Sequence, residues 1–178
     1  LLEPDFLFTL RQNWINKFNN LVSIRLNSLI STDQDLISLY LSKNRNLWVN
    51  VYDLLHLDPS LYELASNDKI LSIAKLLGID DPFFGTRPYV RVDMPKDPEF
   101  SYFQPHQDFP FNNHSLNSIV FWIPLQNTDM NLGPLQVSSG SHLKKELFKA
   151  NEENIILDSN RFSFESVPCS IGQAIVFS

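Results

Sequence analysis

At 178 residues, with 43% apolar and 12% aromatic side chains, the chain is the size of one domain and carries enough apolar surface for a sizeable core. Fourteen Lys and Arg stand against 20 Asp and Glu, a formal charge of -6, and neither sign gathers into a block, which argues against a nucleic-acid face or a charged tail. The single cysteine, Cys169, excludes an internal disulfide and a thiolate metal cluster, and reads as a small buried hydrophobe.

The longest apolar run, IVFWIPL at 119–125, is too short to span a bilayer and contains a proline. With no signal peptide visible, a soluble cytoplasmic protein is expected. The sequence opens at Leu1 and stops directly after GQAIVFS, which reads as a buried strand. It is therefore read as a single domain, 1–178, in fragment form and lacking its C-terminal part.

Residues 1–81 hold two of the eleven prolines and one of the five glycines, and the remainder of the chain holds the others. This marks a change from a mainly helical part, 1–80, to a strand-and-turn part, 86–178. Trp14, Phe18, Val22, Leu26 and Leu29 recur at spacings of four and three, which predicts a helix over about residues 11 to 30. Ser31 stands three residues before Gln34 in a capping-box pattern and opens a second helix. DKILSIAKLLG aligns Ile70, Ile73, Ala74 and Leu77 on one side and ends at Gly78. All three read as packing elements.

Beyond residue 85 the sequence turns to short extended runs: YVRVDM, SIVFWIPLQ, LQVSS, NIILD, FSFESV and GQAIVFS, each bounded by Pro, Gly, Asn or Ser. Their spacing predicts a sandwich or barrel of jelly-roll type.

Between the first two runs lies SYFQPHQDFPFNN, residues 101–113. Alternate side chains on an extended segment share a side, so His106 and Asp108 are placed to hold one ion together. They make two-thirds of the 2-His-1-carboxylate triad that leaves open positions on non-haem iron(II). Gln104 falls on the same alternation and is a weaker pocket candidate. In YVRVDM, Arg91 and Asp93 likewise share a face, turned either to a pocket or to solvent as a salt bridge. His114 and His56 read as a loop residue and a helix-end residue.

HQD at 106–108 followed by VFWIPLQNTDMNLGPLQVSSGSH at 120–142 resembles the central signature of the phytanoyl-CoA dioxygenase family of iron(II)/2-oxoglutarate oxygenases. LLGIDDPFFGTRPYVRVDMP and the terminal IGQAIVFS are similar to the flanking pattern, so the resemblance spans roughly residues 70–178. It implies an α+β protein: a double-stranded β-helix, that is a cupin-like jelly roll, with N-terminal helices packed against it. It implies that His106 and Asp108 are the first two Fe(II) ligands, that Trp122 faces the cosubstrate pocket, and that Arg91 and Asp93 lie on a strand lining it. The turns GPL and GSH look structural, which makes His142 a turn residue.

The family's distal histidine ligand, and the arginine that pairs with the C5 carboxylate of 2-oxoglutarate, follow the strand that GQAIVFS resembles. The reaction implied converts 2-oxoglutarate and O2 to succinate and CO2 while a substrate C–H bond is hydroxylated. Asp108 favours oxygen transfer, because halogenating relatives lack this carboxylate. The expected partners are a small organic substrate, 2-oxoglutarate and O2, with neither nucleic acid nor membrane. Two rival readings stand beside it: a non-catalytic jelly-roll binding protein with an incomplete metal site, and a cupin-like metal enzyme of different reaction type, such as an isomerase, that uses His106, Asp108 and one of the other histidines.

Overall fold

A computed structural model of the chain describes residues 2–26, 49, 53–93, 105–109, 115–144 and 162–178. Leu7, Leu10, Trp14 and Phe18, spaced by three and four, wind into one face of helix α1, Pro4–Leu26, and all four are buried. Pro4 occupies the first helical position, where a missing N–H costs no hydrogen bond. The helix therefore begins about seven residues before its expected start. The steps from Leu7 to Leu10 to Trp14 already continued the stripe. Leu29 and the helix expected from Ser31 lie outside the described residues.

A second helix, α2, spans Pro59–Ala65 and is capped by Asp58. The Asp58 carboxylate accepts from the Ser60 amide at 3.0 Å and the Ser60 hydroxyl at 2.8 Å. Lys17 on α1 donates to both of its oxygens, at 2.8 and 2.6 Å. Burial of Asp58 works to raise its pKa, but the bonds from Lys17 and Ser60 together outweigh it and hold the carboxyl below its ordinary value. Helix α3, Asp68–Leu76, follows with Asn67 as its cap, buries Ile70 and Ala74, and closes on Gly78 at φ 91°. Leu77 departs from the expected stripe: it is the capping residue beyond the last turn and is exposed.

Four three-residue strands are described: β1 Val120–Trp122, β2 Leu135–Val137, β3 Glu165–Val167 and β4 Ile175–Phe177. β1 pairs antiparallel with β4, and β2 with β3. From the pair Trp122/Ile175, six residues forward and six residues back lead to the bridge between Thr128 and Cys169, in unbroken register. From that bridge to the pair Leu135/Val167 the first arm takes seven residues and the second only two. The five extra residues are taken up by a 3-10 turn, Met130–Leu132, capped by Asp129 and closed by Gly133 at φ 65°.

The two arms, 120–137 and 165–177, thus pair with each other on both sides of one corner. A chain passing between the two sheets of a sandwich produces this pattern. The ladders described are two-stranded, and they do not by themselves draw a closed double-stranded β-helix. Of the expected runs, YVRVDM forms no strand over 89–93, and NIILD lies outside the described residues.

Helices and strands share one core. Leu2, Leu7, Leu10, Leu64 and Ile70 form a buried cluster against which Phe6, Phe121, Ile123, Leu125 and Ile171 pack. Phe121, Ile123 and Leu125 alternate along the chain, so the helical layer covers one face of β1 and its extension. Trp122 leaves by the opposite face. The start of the chain is tied to the turn before β4, where the Leu2 amide donates to the Gly172 carbonyl at 2.9 Å. Gly172 has φ 91°, and a Cβ there would lie 3.0 Å from the Leu2 carbonyl oxygen. Cys169 is buried, as its type predicts. No described helix is long and apolar enough to cross a membrane.

Candidate metal centre

His106 and Asp108 lie side by side, with Nε2 and Oδ1 3.2 Å apart and their side chains 24% and 32% exposed. The segment 105–109 belongs to no β ladder. Two donor atoms held at right angles by one first-row metal at about 2.1 Å stand about 3.0 Å from each other. The observed separation fits that arrangement. A neutral imidazole nitrogen and an anionic carboxylate oxygen also suit a borderline divalent ion in charge and in donor type.

Arg91 and Asp93 share a side, as the alternation predicts, and form an ion pair at 2.7 Å. Their segment is not the expected strand. It is held from the helical half instead: His56 Nε2 lies 2.8 Å from the Val90 carbonyl oxygen, and the Tyr89 ring stands edge-on to the imidazole with centroids 5.3 Å apart.

The other predicted residues are dispersed. Trp122 is half-buried on β1, turned away from the helical core. His142 is exposed on a 3-10 turn, Ser141–Lys144, consistent with a turn residue. Gln104 and His114 lie outside the described residues. Among the described residues no three His, Cys, Asp or Glu converge, so Asp93 does not join His106 and Asp108 as a ligand.

Sequence reasoning undervalued His56. It is a helix-end residue as expected, but a buried one, two positions before the Asp58 cap. The signal was the string LHLDPS, in which Asp-Pro-Ser reads as a cap, a first-position proline and a first-turn hydroxyl. A polar ring just before a cap inside an apolar run needs an internal partner when buried.

Compared with known protein families, residues 46–178 match the model of Phytanoyl-CoA dioxygenase (PhyH). The chain belongs to the phytanoyl-CoA dioxygenase family. The family match reaches back past the resemblance read from residue 70, and takes in His56, α2 and α3. Phytanoyl-CoA dioxygenase relatives are in general iron(II)/2-oxoglutarate oxygenases with a cupin-like jelly roll, and oxygenase chemistry is the coarse assignment for this chain. No curated protein and no solved structure matches it.

Proposed function

We propose that the protein is a non-haem iron(II)/2-oxoglutarate-dependent dioxygenase that hydroxylates a C–H bond of a small organic molecule, with His106 and Asp108 as two of its three metal ligands. The observation that carries this reading is the 3.2 Å approach of imidazole and carboxylate within the family-matched region. Asp108 contributes the anionic charge and His106 the neutral donor. Together they would hold the ion from the protein side and leave coordination positions open for cosubstrate and O2. By resemblance, the third ligand and the arginine for the 2-oxoglutarate C5 carboxylate are expected after β4.

Bound iron with 2-oxoglutarate would supply the oxidising step, in which decarboxylation of the cosubstrate activates O2 against the substrate C–H bond. The chain's own residues bind, orient and exclude water. Arg91 has the planar fork that meets a carboxylate, and Asp93 fixes the orientation of that fork. Trp122, on the β1 face away from the helices, supplies an apolar wall with its cross-strand neighbour Ile175.

Asp108→Ala tests the assignment. The variant is expected to lose about a hundredfold or more in Fe(II) or Mn(II) affinity, measured anaerobically, because even outer-sphere partners of metal ligands are worth about 10–100-fold. Substrate-independent succinate formation should stop with it. Unchanged metal affinity would remove Asp108 from the ligand set, and wild-type protein that binds iron without forming succinate would favour the non-catalytic binding module.

A further inference from the structure

We infer that His56 is a positioning residue for Arg91, acting through the Val90 carbonyl; the inference rests on the proposed role of Arg91 at the cosubstrate. A carbonyl oxygen only accepts, so the 2.8 Å approach requires the proton on His56 Nε2, which donates to Val90 across 34 residues of chain. His56 is 4% exposed, and the Val90 side chain is buried as well. The bond is therefore shielded from water at both ends. Tyr89 packs edge-on against the imidazole, and Arg87 lies over the Tyr89 ring at 5.3 Å from its centroid.

The turn that carries His56 is held by hydrogen bonds. The Asp58 amide donates to the Leu55 carbonyl and the Leu57 amide to Leu54, closing the turn around His56. Two residues on, Asp58 is clamped by Lys17 from α1. The segment 87–93 is in no strand, so sheet register does not place it. Arg91 follows the anchored Val90 directly, and on extended backbone its side chain leaves on the side opposite Val90 and Val92. A shift of the Val90 carbonyl moves the Arg91 backbone from which the guanidinium reaches. His56 thus links the helical half to the anion-binding side of the site.

The test uses the intact protein with His56→Leu, which removes the donor, His56→Asn, which is polar but too short to reach Val90, and His56→Gln, which restores an N–H at similar reach. Hydrogen exchange of residues 89–93 and anaerobic binding of 2-oxoglutarate to the Mn(II) form are measured, with Mn(II) affinity alongside. Leu and Asn are expected to speed exchange in that segment and to weaken 2-oxoglutarate about tenfold, the effect of losing one shielded hydrogen bond. Mn(II) affinity should stay as in wild type, and Gln should return both readouts. If Leu does not fold, the contrast of Asn with Gln decides alone. Wild-type 2-oxoglutarate affinity in the Asn variant, or loss of metal and cosubstrate binding together, would overturn the positioning role while leaving the oxygenase reading in place. A wild-type protein that binds no 2-oxoglutarate would overturn both.

Discussion

Arg91 and Asp93 show how little a surface ion pair says about stability and how much it says about orientation. Their side chains are 41% and 51% exposed, and pairs of that kind contribute about 0–1 kcal/mol. Arg91→Ala is therefore expected to change unfolding stability by less than about 1 kcal/mol. The same variant should raise the 2-oxoglutarate concentration needed for half-maximal turnover several-fold while metal affinity is retained. Denaturant unfolding, cosubstrate titration and metal titration check the three parts. An unchanged cosubstrate requirement would make the pair a solvent-facing salt bridge. His106 and Asp108 are less exposed than that pair, with Nε2 and Oδ1 3.2 Å apart.

At the scale of elements, the junction of α1 and α2 depends on one carboxylate. Asp58 caps α2 and receives both contacts from Lys17, and its pKa is held below the ordinary value of about 4 by those bonds against the opposing effect of burial. A carboxyl lowered on folding stabilises the fold above its unfolded pKa, and that contribution disappears as pH falls through the lower folded value. Asp58→Ala is expected to cost about 2 kcal/mol at pH 7, combining the lost cap with the lost partner of Lys17. Urea unfolding at stepped pH should show the gap between wild type and variant constant above about pH 5 and narrowing below about pH 4. A gap that persists at pH 2 would assign the loss to packing. His56 stands two residues away, so the same variant should also loosen residues 89–93.

For the whole molecule, the decisive feature is that Leu2, Leu7, Leu10, Leu64 and Ile70 from the helical half meet Phe121, Ile123, Leu125 and Ile171 from the strand half. α1 lies before the family-matched region yet supplies Leu7 and Leu10 to that cluster, with Leu7 fully buried. Leu7→Ala should cost about 2–5 kcal/mol, the range for a core leucine that leaves a cavity. Because the cluster joins both halves, helical circular dichroism and tryptophan fluorescence should fall in one coincident transition in wild type and variant alike. Separate transitions would mean that the halves fold independently.

Local pattern carried a good part of this protein. The stripe through Trp14 and Phe18, the close of α3 on Gly78, the strand at VFW and the burial of Cys169 follow from residue type and spacing, because each depends on neighbours a few positions away. The shared side of His106 and Asp108, and of Arg91 and Asp93, was legible for the same reason: extended backbone alternates whatever it packs against. Three matters were decided only in three dimensions. Residues 89–93 have a strand's composition but join no ladder among the described residues, since strand formation needs a partner edge and sequence names none. The pairing of 120–137 with 165–177 around the Thr128–Cys169 corner depends on register between segments far apart in the chain. The bond from His56 to Val90 joins residues 34 apart, and no local periodicity encodes which carbonyl a buried imidazole will reach.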